Sequence, residues 1–124
     1  MPKRPPRNTD PFSARRLNAY KVALELLSYM QPHLQRIASR NRELKKQLDR
    51  SLPSIVNNLS EAMRRSGADR PYHLGVSLGS ADEVRASIDS ARVYGLMQPH
   101  EAAHADNLAD RYCAMVYRLR QRFE

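Results

Sequence analysis

Apolar residues recur at steps of three and four along most of this 124-residue chain, and that spacing commits it to helices. Leu17, Tyr20, Leu24, Leu27, Leu34 and Ala38, with Gln31 in register, trace a first stripe that begins near residue 13. Leu44, Leu48, Leu52, Ile55, Leu59 and Ala62 trace a second; Leu74, Leu78, Ala81, Ile88 and Ala91 a third; and Leu108, Tyr112, Met115, Leu119 and Phe123 a fourth. Ser66-Gly67 stops the second pattern, Asp69 as N-cap and Pro71 in the first turn open the third, Gly95 closes it, and Pro99 opens the fourth. Pro32 and Pro53 fall inside patterns that continue beyond them, so each predicts a kink and not an end. No segment alternates with period two and β-branched enrichment, so no strand is expected. Short connections make successive helices antiparallel. The expectation is an all-α, up-down-up-down four-helix bundle over residues 13–124, with kinked first and second helices.

Residues 1–12 hold four of the eight prolines together with Lys3, Arg4 and Arg7, and read as a flexible basic arm. At 14.3 kDa the chain has room for one domain and one modest core. The lone Cys113 can form no intrachain disulfide and fits a reducing compartment. No apolar run reaches the roughly 20 residues of a membrane span, and no apolar signal core follows the basic start. A soluble, cytoplasmic protein without a membrane partner is expected.

Charge narrows the partners. Twenty-one Lys and Arg face 13 Asp and Glu, a net charge of +8 with an isoelectric point near 10.1. Such an excess concerns partners and not fold, and nucleic acid is the polyanion a small basic domain most often meets. The absence of Trp and the presence of only two Phe argue against an aromatic platform for stacked bases. With the core side of the second helix centred on Leu48, Arg42, Lys46, Arg50, Asn57 and Arg64 fall on the opposite face, a stripe of roughly 33 Å. Arg111, Arg118 and Arg122 line one flank of the fourth helix. Arginine outnumbers lysine, which suits bidentate phosphate contacts. With Arg65 beside Arg64, these are the candidate nucleic-acid-binding residues. Nothing points to base reading, so RNA or DNA would be held without sequence preference.

A second apolar face on the first helix, Val22, Leu26 and Tyr29, projects opposite Leu24 and Leu27. On the third helix Gly75, Val76, Gly79 and Ala86 lie away from the core side and would let another backbone come close. Left-over apolar faces commonly mark interfaces, so self-association through these residues is expected.

Catalytic chemistry finds little support. His100-Glu101-Ala102-Ala103-His104 matches the zinc-peptidase spacing, with Asp110 as an imaginable third ligand. It opens a helix just after Pro99, has Asn107 where the turn glycine belongs, and lacks a substrate-binding strand, so a polar first turn with His104 near the core is the better reading. Cys113 reads as a small packed hydrophobe, and Glu61 and Glu83 as carboxylates bonded to Arg or backbone. No Gly-rich phosphate loop, metal set or cofactor motif is present. No enzyme activity and no cofactor are expected.

The order Asn58-Leu59-Ser60-Glu61-Ala62, Arg64, Arg65, His73-Leu74 and Ser77-Leu78-Gly79-Ser80-Ala81-x-Glu83 resembles a bacterial four-helix-bundle family. That family includes proteins encoded within intervening sequences of large-subunit rRNA genes. The chain is similar also to the accessory variability proteins of diversity-generating retroelements, most of all in Ser28-Tyr29-Met30-Gln31-Pro32. The likeness covers about residues 17–122. Ala62 stands where the family usually has Gly. The resemblance implies a homopentameric ring of bundles with a basic surface. In the retroelement branch it further implies binding to a reverse transcriptase and its RNA template.

Overall fold

The structure is a computed structural model that describes residue 14 and residues 17–124. The expected basic arm over residues 1–12 lies outside the described residues. Four helices account for nearly all the rest: α1 (Asn18–Arg40), α2 (Arg42–Arg64), α3 (Asp69–Val93) and α4 (Pro99–Gln121). Among the described residues there is no strand.

The turns explain the topology. A single extended residue, Asn41, separates α1 from α2; its N–H closes α1 on the Ile37 carbonyl and its side chain accepts from Leu44 N at 3.0 Å. A connection that short forces the two helices antiparallel. Gly67, at φ 60°, supplies the left-handed backbone between α2 and α3. Gly95, at φ 73°, does the same after α3, where Leu96 N and Met97 N both donate to the Ala91 carbonyl. α4 then opens on Pro99, with the Glu101 side chain accepting from Gln98 N at 2.7 Å. Each helix packs against two neighbours, in the cyclic order α1–α2–α3–α4 and back to α1. This is the up-down-up-down bundle.

Both interior prolines sit in unbroken helices. Pro32 and Pro53 are exposed, as are Ser28 and Asp49, whose carbonyls lose their usual donors, so water can satisfy what the ladder does not. α3 begins one residue earlier than its capping pattern implies: Asp69 is its first helical residue and not its cap, and it sits where a carboxylate favours the helix dipole.

The core is built from Leu26, Met30 and Ile37 of α1, Leu48, Ile55 and Leu59 of α2, Leu74, Val84 and Ile88 of α3, and Tyr112 and Val116 of α4. Here α1 departs from expectation. Val22 (4% exposed) and Leu26 (0%) belong to the core, while Leu24 is 44% exposed and Tyr20 and Leu27 are only half-buried. The face expected to be an outer interface is the inner one at Val22 and Leu26. Ala19 and Ala23 are buried along with Val22 and Leu26. Leu78, expected in the core, is half-buried on α3.

Between α2 and α3 the core is not purely apolar. Ser51, Ser77, Ser80 and Ser87 are buried there. Ser77 Oγ donates to the Ile55 carbonyl at 2.7 Å and also bonds the Tyr112 hydroxyl. Ser54 and Ser80 share a bond at 2.7 Å, and Ser51 Oγ donates to Glu83 Oε2 at 2.9 Å. The Ser51, Ser54, Ser77, Ser80 and Tyr112 hydroxyls each meet a partner, which removes the penalty of burying them.

Candidate nucleic-acid interface

Cationic side chains project from the bundle on helices whose opposite sides are held in the core. On α2 the buried line Leu44, Leu48, Leu52, Ile55, Leu59 turns Arg42, Lys46, Arg50 and Arg64 to solvent, and all four are exposed. On α4 the burial of Leu108, Tyr112 and Val116 likewise leaves Arg111, Arg118 and Arg122 exposed. Of the sixteen Lys and Arg in the described residues, four (Lys45, Arg65, Arg85 and Arg120) are ion-paired, leaving twelve with no carboxylate within ion-pair distance among those residues.

Arg65 therefore differs from the other seven candidates. It is held by Glu61 one turn away, with Nε 2.7 Å from Oε1, and that contact keeps the Glu61 carboxyl below its ordinary range. Arg85 is tied more completely: it meets both oxygens of Asp106, at 2.9 and 3.2 Å, and Asp110 at 3.3 Å. The bonds to Asp106 raise its already high pKa.

The candidates form two groups and not one patch. Antiparallel packing gathers the end of α2, the start of α3 and the end of α4 at one end of the bundle. Arg64, Arg65, Arg118 and Arg122 lie there, joined by Arg70, which donates to the Ala62 carbonyl at 3.2 Å and stacks its guanidinium 4.5 Å over the Phe123 ring. Arg42, Lys46 and Arg50 occupy the other half of α2, and Arg111 sits midway along α4. Charge is also divided between the two hairpins: residues 17–65 carry nine cations against four acids, and residues 66–124 carry seven against eight. The first hairpin is the basic one.

The expected self-association residues are placed differently from one another. Val22 and Leu26 are unavailable in the folded chain. Tyr29 is half-buried between α1 and α4, its ring 5.0 Å from His33 and 4.4 Å from His104. Burial, and then Glu101, raise its hydroxyl pKa. Gly75 lies under the Arg120 guanidinium, where an added Cβ would come within 3.3 Å; Val76 is half-buried; Gly79 faces open space. Leu24, missed as an outer residue, is the exposed apolar side chain of α1.

The zinc-like segment resolves into structural roles. Glu101 caps α4 and lies 3.7 Å from buried His33, with its carboxyl lowered chiefly by the backbone N–H of Gln98. His104 is exposed and packs at a tilt against Tyr29, against the expectation that it points toward the core. Among the described residues no three His, Cys, Asp or Glu side chains converge as metal ligands. The Cys113 thiol is pushed up by burial and by Asp82, the opposite of activation.

These features define a class: a small antiparallel four-helix bundle with a hydroxyl-lined α2–α3 seam and cationic outer faces. Among the described residues no helix is long and apolar enough to cross a membrane. The chain belongs to the 23S rRNA-intervening sequence protein family, whose model matches residues 15–118. No curated protein and no solved structure matches it.

Proposed function

We propose that this protein is a non-catalytic basic scaffold that self-associates and captures RNA or DNA electrostatically, without reading sequence. The observation that carries this reading is the set of twelve cations left without acidic partners among the described residues, seven of the eight candidates among them. An arginine already neutralised by a carboxylate gains little from a phosphate, whereas an unpaired one displaces the cations condensed on the nucleic acid. Candidate surfaces for self-association are the open Gly79 stretch of α3 and exposed Leu24, since the inner position of Val22 and Leu26 removes them from that role. The expected ring of five copies is part of this proposal.

Titration of the purified protein with an unrelated single-stranded RNA at about 50 and 200 mM salt tests it. Binding that weakens steeply with salt and is indifferent to sequence supports electrostatic capture. No binding at the lower salt overturns it and leaves a protein-interaction scaffold whose basic face docks an acidic partner.

A further inference from the structure

A cleft of about 260 Å³ opens between α2 and α3, lined by Gln47, Arg50 and Ser51 on one side and Glu83, Ala86, Ser87 and Ser90 on the other. It lies below the roughly 300–1,000 Å³ of pockets that take drug-sized ligands, so it fits a small polar unit. Two of its groups are chemically opposed. Arg50 is an exposed cation with no carboxylate within ion-pair distance among the described residues, although Glu83 lines the same cleft. Glu83 has one oxygen, Oε2, fixed by the Ser51 hydroxyl at 2.9 Å, while Oε1 receives no hydrogen bond among the described residues. An ionised carboxylate only accepts hydrogen bonds and repels phosphate, so the ligand must present an anion to Arg50 and a hydrogen-bond donor, such as a hydroxyl, to Glu83.

A ribose with its phosphate carries that pair of groups, and a deoxyribose lacks the second. Arg42 and Lys46 lead toward Arg50 along the outer face of α2, each one turn, or about 6 Å, from the next. A strand followed along those cations arrives at the cleft. We propose that the α2–α3 cleft is an RNA-selective subsite, in which Arg50 holds a backbone phosphate and the unpaired oxygen of Glu83 accepts a 2′-hydroxyl. The 2′-hydroxyl is the group by which proteins distinguish RNA from DNA. This inference rests on the nucleic-acid reading above and replaces its indifference to sugar with a preference, while sequence remains unread.

Fluorescence anisotropy with unstructured single strands of one sequence, as RNA and as DNA, tests it. The full-length wild-type protein should bind the RNA about tenfold more tightly, the worth of one hydrogen bond to a charged group at a partly wet site. In Glu83→Ala the ratio should fall to near one, with DNA binding strengthened because a negative charge has left the surface. Asp82→Ala removes the same charge from a neighbour that acts on Cys113 and does not line the cleft. It should strengthen both complexes and leave the ratio intact. Circular dichroism confirms that each variant folds. Equal wild-type affinities, or a ratio unchanged in Glu83→Ala, overturns the subsite while capture stands. Free adenosine monophosphate binding as tightly as the strand overturns a strand as its source. If the wild type binds neither polymer, nucleic-acid capture itself is refuted.

Discussion

Neutralising one group of cations should change how binding depends on salt by an amount set by their number. Arg42, Lys46 and Arg50 are exposed on α2 without ion pairs among the described residues, so Arg42→Gln/Lys46→Gln/Arg50→Gln removes three charges without exposing a buried partner. Each phosphate neutralised on a single strand contributes about 0.7 to the slope of log affinity against log salt, so the slope should become shallower by about 2. Between about 50 and 200 mM salt, the wild type should then lose roughly 18-fold more affinity than the variant. Arg118→Gln/Arg122→Gln at the opposite end removes two charges, for a change of about 1.4 in slope and roughly sevenfold over the same interval. Anisotropy titrations at four or five salt concentrations measure both. A strand lying along the bundle shallows both slopes, and one confined to the α2 stripe shallows only the first. Slopes equal to wild type in both variants would refute the reasoning, since the cations would then contact no phosphate.

Three further outcomes test the fold. Tyr112→Phe leaves Ser77 still donating to the Ile55 carbonyl and should cost about 1 kcal/mol, whereas Ser77→Ala strips the closer donor from that carbonyl and should cost about 1–3 kcal/mol; urea denaturation showing the reverse order would reject this account of the seam. Leu26→Ala should destabilise by about 2–5 kcal/mol and Leu24→Ala by less than about 0.5 kcal/mol, and equal losses would mean that α1 is rotated from the orientation described. The folded-state pKa of Glu101 is depressed, so its contribution is present above the ordinary carboxylate pKa and is lost as pH falls through the lowered folded value. Glu101→Gln should flatten the acid side of a melting-temperature profile, and a profile with the wild-type slope there would remove Glu101 as a pH-linked cap.

Turn chemistry makes the bundle legible in the sequence. Gly67 and Gly95 do adopt positive φ, and Pro99 does open α4, because few residues tolerate those positions. The four stripes carried the fold class, yet periodicity alone could not orient α1. That helix is apolar on two sides, and the larger Leu24 and Leu27 outweigh Ala19 and Ala23, whose small size suits them to a close helix contact. Ser77 and Ser80 were invisible as core residues because their partners lie on other helices, one of them a backbone carbonyl, and no spacing within α3 encodes them. The outward placement of Arg42, Lys46, Arg50 and Arg64 could be read from Leu48 alone. Their separation from Arg118 and Arg122 follows from the antiparallel order of α2 and α4 and not from the spacing within either helix, and the loss of Arg65 to Glu61 depends on a rotamer.

The serine seam has a mechanical consequence. Leucine against leucine can slide by a turn and find a similar fit, but a hydroxyl aimed at one carbonyl cannot. Shifting α3 along α2 would strand the Ser51–Glu83, Ser54–Ser80 and Ser77–Ile55 contacts together, so the seam behaves as a toothed joint with a single engaged position. Side chains mounted on the far side of that joint keep a constant pitch, as marks on a ruler do.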